Sequence, residues 1–176
     1  MGKAWMARGS MKHAAESLVE EAYGLLSLSS VERRQQIAVL LNNYYYADDP
    51  TTLPGRFNHP LATNIIHSVF FKSPDAMGNL YPVGFGPPIS CGLLALAFMV
   101  IRCTLDQYAE TGTKTTITMD KSSYEEVFLT LLFNIEYLTN DINEGPAFGT
   151  FEQDLCAGAT PRCTVSILSF HLFKCS

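Results

Sequence analysis

Residues 87–112, PPISCGLLALAFMVIRCTLDQYAETG, decide the fold, because this stretch predicts one helix that is apolar around almost its whole circumference. At 100° per residue, Arg102, Asp106 and Glu110 lie on one narrow stripe and most of the remaining surface is apolar. A helix of this kind is normally surrounded by other helices. We therefore predict an all-α fold of about five helices, packed around a central helix over about residues 90–111.

The composition predicts one domain with a substantial core. The chain has 176 residues, of which 47% are hydrophobic and 16% are charged, so its middle is not intrinsically disordered. The net charge of −5 argues against a strong nucleic-acid surface, which is usually basic. Arg33-Arg34 is the basic pair of the body, and we interpret it as part of a solvated helix face.

Several sequence features predict an intracellular protein, cytoplasmic or nuclear. The N-terminal residues lack the apolar run of a signal peptide. Residues 85–101 are uncharged, but glycine and proline interrupt their apolar run, so we interpret it as a core helix and expect no membrane span. The five cysteines are an odd number and the chain has no Asn-x-Ser/Thr site, which fits a reducing compartment.

Capping signals predict where the other helices begin. Ser10 is the expected N-cap of a first helix over Met11 to Leu26, and His59-Pro60 opens a third helix with His59 as its N-cap. Two capping boxes, Ser29 to Glu32 and Ser122 to Glu125, open the second and fifth helices. Residues 72–88 are rich in Gly and Pro and predict a long connection, and Gly112 is placed as the C′ residue of the central helix.

The fifth helix leaves two apolar residues off its core side. Most of its apolar residues fall within about 140° of arc, whereas Leu129 and Phe133 lie outside it. They are either covered by the C-terminal tail or form an exposed apolar contact patch. Residues 141–176 show no convincing period, so we divide the chain into a helical domain, 10–140, and an irregular tail. The tail is a segment packed on the domain, an oligomer contact, or read-through beyond a true exon end.

A set of ordered blocks carries a resemblance to a known family. The blocks are Gly55-Arg56-Phe57 with His59-Pro60, Phe70-Phe71, Pro88-Ile89 leading into Ala95 to Ala97, Ile101-Arg102-Cys103 with Leu105-Asp106, Tyr108 and Gly112, and Tyr124. From Ala14 to about Leu138 the chain resembles a fungal family, abundant in mushroom-forming species, designated domain-of-unknown-function family 6532. It departs at Gln107-Tyr108, where an acidic residue followed by tryptophan is common. The resemblance implies an intracellular helical domain, often associated with mobile elements, without an established activity.

The best candidate for chemistry is a polar cluster of His59, Arg102, Asp106 and Tyr108. Arg102 and Asp106 are one helical turn apart and can pair, and the arginine can also reach an anion or a loop carbonyl. We favour a structural clamp in which Arg102 contacts Asp106 or carbonyls of the 72–88 connection. The alternative is a ligand site in a small enzyme or binding protein.

Metal and thiol chemistry have weaker support. His59 and His67 do not converge on one helix face, and no familiar zinc spacing of cysteines occurs, so we expect no metal and no cofactor. Cys91 or Cys103 with one of these histidines would be a nucleophile pair, but both thiols lie in an apolar helix that favours a buried, inert thiol. We therefore expect a protein-interaction or regulatory module that binds another protein, with a homo-oligomer as a further possibility.

Overall fold

The computed structural model describes residues 2–42, 57, 59–81, 85 and 89–140, with side chains from residue 8 onward. Within these residues the protein is built from α-helices and one 3-10 turn, Leu25–Ser27, and has no strand, which confirms the all-α prediction. The six helices are α1 (Gly2–Ala22), α2 (Ser30–Leu41), α3 (Pro60–Phe70), α4 (Met77–Leu80), α5 (Cys91–Asp106) and α6 (Lys121–Asn140). The predictions for residues 44–56 and for the tail, 141–176, lie outside the described residues.

Helix α5 is the centre of the fold, as its sequence predicts. Ten of its sixteen residues are buried, and it packs against α1, α2, α3 and α6. The Ser90 hydroxyl caps it by accepting a hydrogen bond from the Leu93 N–H at 3.2 Å. None of the helices in the described part of the chain combines the length and the hydropathy needed to cross a bilayer.

Helix α5 ends at Asp106, earlier than the predicted residue 111. The Gln107 carbonyl accepts hydrogen bonds from the Thr115 N–H at 2.9 Å and from the Thr115 hydroxyl at 2.7 Å, so it is not available for another helical turn. Gly112 then adopts φ +70°, and a Cβ there would lie 1.8 Å from the Ser30 carbonyl oxygen. Only glycine fits this close approach of two backbone segments.

Helix α1 is longer at its start than predicted. It begins at Gly2, so Ser10 lies inside the helix and is not its N-cap, and it ends at Ala22 rather than Leu26. The end is set by Gly24, which takes the left-handed φ of +64°. The sequence before Ser10 has no proline, and Gly9 costs a helix only about 1 kcal/mol, so the helix extends through it.

Of the four predicted N-caps, those of α2 and α3 are confirmed, whereas those of α1 and α6 are wrong. Ser29 and Glu32 form the capping box of α2, and the Nδ1 of His59 accepts the Leu61 N–H at the start of α3 at 3.1 Å. Helix α6, however, begins at Lys121 instead of after Ser122. The Asp120 carboxylate accepts the Ser123 N–H at 2.9 Å, because an anion is the stronger acceptor at a helix N-terminus.

The connection predicted over residues 72–88 contains the one-turn helix α4. The Asn79 side-chain amide donates to the Ser73 carbonyl at 2.7 Å and to the Phe71 carbonyl at 3.4 Å, which holds this turn next to the end of α3. The Phe70 and Phe85 rings lie 4.9 Å apart, so Phe85 also packs on α3.

Candidate functional site

The Arg102–Asp106 pair on α5 forms the contact predicted from its spacing. The Arg102 Nε donates to the Asp106 Oδ1 at 3.1 Å, and both side chains are about three-quarters buried. A second guanidinium nitrogen donates to the Leu41 carbonyl at 3.4 Å. Among the described residues, the carbonyl that Arg102 reaches is therefore at the end of α2 and not in the 72–88 connection. The last carbonyls of a helix have no hydrogen-bond donor within the helix, which explains why Arg102 donates to the Leu41 carbonyl.

Tyr124 on α6 completes this cluster. Its hydroxyl donates to the second carboxylate oxygen of Asp106 at 3.0 Å, so each oxygen of Asp106 has a donor from the protein. Burial, together with a hydrogen bond to the Cys103 thiol, raises the pKa of Tyr124, which keeps the phenol protonated. Burial likewise raises the pKa of Cys103, whose side chain is fully buried. A buried neutral thiol is a poor nucleophile.

Tyr108 takes part in a second polar group, between the turn that follows α5 and helix α1. Its hydroxyl donates to the Glu20 carboxylate, and the neighbouring Gln107 amide donates to Glu16 at 2.9 Å. Burial raises the pKa of Tyr108, so the phenol acts as a hydrogen-bond donor at neutral pH. The sequence did not indicate Glu16 or Glu20, because their partners lie about ninety residues away along the chain.

Arg33 belongs to the same region, which corrects its interpretation as a solvated residue. Its guanidinium donates to three carbonyls, those of Leu25 at 3.0 Å, Leu28 at 3.2 Å and Gly112 at 3.3 Å. The guanidinium carbon also lies 5.8 Å from the centre of the Tyr108 ring. Arg33 thus links the start of α2 to the turn that follows α5, whereas Arg34 remains exposed.

His59 lies in a third place. It is buried, it caps α3 through its Nδ1, and its ring centre is 4.8 Å from that of Tyr23. The predicted cluster is thus divided: Arg102 and Asp106 lie together, Tyr108 contacts α1, and His59 lies at the start of α3. These contacts give each side chain a role in joining helices.

The described residues offer no assembled metal site. No group of three His, Cys, Asp or Glu side chains in this part of the chain is placed to hold a metal ion. The His67 ring stacks on Phe71 at 6.3 Å between centres. The Cys91 thiol, at the first turn of α5, lies 4.0 Å from the Thr139 hydroxyl on α6.

The outer surface of α6 carries three exposed large apolar side chains. Leu129, Phe133 and Tyr137 are 55%, 67% and 63% exposed, and their spacing of four residues places them one per turn on the side opposite the buried Leu131 and Ile135. We call these three residues the α6 stripe. Leu129 and Phe133 were identified from the sequence. Tyr137 was missed, although it continues the same spacing.

A shallow groove runs along the N-terminal half of the α6 stripe. It has a volume of about 590 Å³ and is lined by Ser122, Glu125, Glu126, Leu129, Thr130 and Phe133. The concave surface at this place contains none of the four residues of the predicted polar cluster. The apolar stripe and the neighbouring carboxylates of Glu125 and Glu126 are thus exposed to solvent on the outer side of α6.

Comparison with known proteins identifies the family. The family model described as "Domain of unknown function (DUF6532)" matches residues 1–138, and the chain belongs to this family. The match includes the whole range of the predicted resemblance and extends it to the start of α1. No curated protein and no solved structure matches the chain.

Proposed function

We propose that this member of the DUF6532 family is a protein-binding module that uses the α6 stripe as its contact surface. The observation that carries the proposal is the exposure of Leu129, Phe133 and Tyr137 by more than half on consecutive turns of one helix. Contiguous exposed apolar surface of this kind marks interaction sites, whereas single exposed apolar residues are common on any protein. The proposed location is inside the cell, which the buried free thiol of Cys103 supports.

The stripe can contribute appreciably to a complex. Full burial of a large apolar side chain is favourable by about 1.5–3 kcal/mol, so covering the exposed parts of three such residues contributes roughly 3–5 kcal/mol. A micromolar complex corresponds to about −8 kcal/mol. Aromatic residues near the centre of an interface often account for much of that energy, and two of the three residues are aromatic.

Other exposed apolar residues make weaker candidates. Met77, Leu80 and Tyr81 are also exposed, but they lie on and beside the one-turn helix α4 and cannot form a row along a helix. Val39 on α2 is exposed by 59% and serves better as a comparison residue than as a contact surface.

The second candidate, a small enzyme or ligand-binding protein near His59, Arg102 and Asp106, has less support. Its polar groups contact protein atoms, and His59 contacts different elements from the Arg102–Asp106 pair. A site for a ligand needs polar groups that converge on a cavity. The contacts of these side chains instead join neighbouring helices.

The proposal can be tested by capture of interacting proteins from cells of the source organism. The tagged full-length protein is compared with the double variant Leu129→Ser/Phe133→Ser and with the control Val39→Ser, in which an equally exposed apolar residue on α2 is changed. Proteins that bind wild type and control, but bind the double variant at least about tenfold less, support the proposal, because tenfold corresponds to about 1.4 kcal/mol. Equal capture by all three chains would show that the stripe is not the binding surface.

A further inference from the structure

We infer that the partner of the α6 stripe is a basic amphipathic helix, with an apolar face for the stripe and lysine or arginine at both ends of that face. This inference rests on the proposed function and names the chemistry of the partner. It is based on the charged residues that surround the stripe. Three exposed glutamates lie on the outer half of α6, namely Glu125, Glu126 and Glu136.

Two of these carboxylates have no basic counterpart among the described residues. Lys121 pairs with Glu125 at 3.3 Å, one turn further along the helix. Within the described part of the chain, no lysine, arginine or histidine lies within ion-pair distance of Glu126 or Glu136. A partner that brings two cations to this surface therefore gains charge complementarity, which favours the correct partner and the correct orientation.

The positions of Glu126 and Glu136 predict how far apart the two cations of the partner lie. Glu126 precedes Leu129 by three residues, and Glu136 follows Phe133 by three, so each carboxylate is a helical neighbour of the stripe. Ten residues separate them, which corresponds to roughly 15 Å along the helix axis at 1.5 Å per residue. A partner helix of about three turns or more, with cations about ten residues apart and apolar residues between them, fits this arrangement.

A second copy of this chain fits the surface less well. In an antiparallel pair of α6 helices centred on Phe133, Glu126 would face Asn140 and Glu136 would face Thr130, so neither carboxylate would meet a cation. A parallel pair would place each glutamate opposite its own copy, which is repulsive. An anionic membrane surface is also disfavoured, because helices that bind such surfaces carry lysine and arginine on their polar face.

The probe for a direct test is a synthetic amphipathic peptide with leucines on one face and lysines at its flanks. The control peptide has the same leucines and carries glutamate in place of each lysine. Binding to the full-length protein is followed by fluorescence anisotropy of a dye on the peptide. We expect the lysine peptide to bind, the glutamate peptide to bind at least about tenfold more weakly, and Phe133→Ser to weaken the lysine peptide by about tenfold.

A matched pair of charge variants separates local from general attraction. Glu126→Gln/Glu136→Gln and Glu21→Gln/Glu110→Gln change the net charge equally, but the second pair lies away from α6 on exposed positions of α1 and the turn after α5. The first pair should weaken binding of the lysine peptide about fivefold or more at low salt and less at high salt, whereas the second pair should have little effect.

Several results would overturn the inference. They are equal effects of the two charge pairs, equal binding of both peptides, and failure of the lysine peptide to bind, including failure because residues 141–176 cover the stripe. A concentration-dependent dimer in sedimentation that Phe133→Ser abolishes would identify a second copy as the occupant. Binding to anionic vesicles but not to the lysine peptide would identify a membrane surface. If captured proteins still depend on Phe133 while the charge variants have no effect, only this inference fails and the proposed function remains.

Discussion

Replacing Arg102 by methionine should lower the free energy of unfolding by about 1–2 kcal/mol without changing the fold. Methionine keeps most of the apolar stem but removes the hydrogen bonds to Asp106 and to the Leu41 carbonyl. Asp106 retains the Tyr124 hydroxyl as a donor, so its carboxylate is not left without a partner. Urea unfolding followed by circular dichroism measures the difference, and thermal unfolding should shift down by roughly 2–8 °C.

The magnitude follows from the burial of the pair. An exposed ion pair contributes about 0–1 kcal/mol, and breaking a fully buried pair costs about 3–5 kcal/mol. The side chains of Arg102 and Asp106 are 29% and 22% exposed, which places them between these limits. The bond to Leu41 is long, at 3.4 Å, and adds little.

The exposed pair Lys121–Glu125 is a matched control, because it has the same four-residue spacing but side chains that are 78% and 50% exposed. Lys121→Met should change stability by less than about 0.5 kcal/mol. A double-mutant cycle with Arg102→Met and Asp106→Asn should show coupling of about 1 kcal/mol. If Arg102→Met is as stable as wild type, the clamp reasoning is refuted. If that stable variant also loses a ligand, the ligand-site alternative gains the support that the clamp loses.

Gly112→Ala should destabilise the protein by about 3 kcal/mol or more in chemical unfolding, because the left-handed backbone and the contact with the Ser30 carbonyl both oppose a Cβ. Gly9→Ala, in the open middle of α1, should instead be neutral or stabilising by up to about 1 kcal/mol, and similar effects of the two changes would contradict the packing argument. The hydrogen bonds of the following serines lower the pKa of Asp120, so its contribution to stability is present above its unfolded pKa near about 3.9 and is lost as pH falls through the lower folded value. When thermal unfolding is measured above and below these two pKa values, Asp120→Asn should therefore lose less stability on acidification than wild type. If the stabilities of the two proteins fall in parallel with pH, this carboxylate does not contribute. A chain that ends at Asn143 should show a cooperative melt within a few degrees of full length, whereas insolubility or a drop beyond roughly 5 °C would show that residues 144–176 complete the core.

Local sequence signals predicted the fold well where the structure depends on local contacts. The apolar circumference of α5 placed it at the centre, and the start signals at Ser29 and His59 were correct because a cap is made by residues within three positions of one another. The start of α6 was wrong because two acceptors, Asp120 and Ser122, competed within one turn and the carboxylate is stronger.

Two other errors concern contacts between parts of the chain that only folding brings together. The end of α5 is set by Thr115 and by the close approach of Gly112 to α2, which no helix propensity encodes. We predicted Arg33 to be solvated because a basic pair on a helix is usually exposed. The three carbonyls that accept its hydrogen bonds come from two turns that only folding brings together. The position of Leu129 and Phe133 away from the core side of α6 was predictable, because a helical wheel reports which side of a helix faces the core.

The distribution of hydrogen-bonded polar side chains and exposed apolar side chains supports the proposed binding module over the enzyme alternative. An enzyme needs polar groups inside a cavity that converge on a substrate. Here the Tyr124 hydroxyl on α6 instead donates to Asp106 on α5, and the Tyr108 hydroxyl donates to Glu20 on α1. Within the described part of the chain, the buried side-chain atom without a hydrogen-bond partner is the Gln107 Oε1, and an amide oxygen supplies neither a nucleophile nor an effective base. On the outer side of α6 the situation is reversed, because apolar side chains face solvent beside Glu126 and Glu136, which no described cation contacts. Burial of exposed apolar surface by a partner would lower the free energy of the complex. The experiments that best distinguish the two hypotheses are therefore those on Phe133 and its neighbouring glutamates.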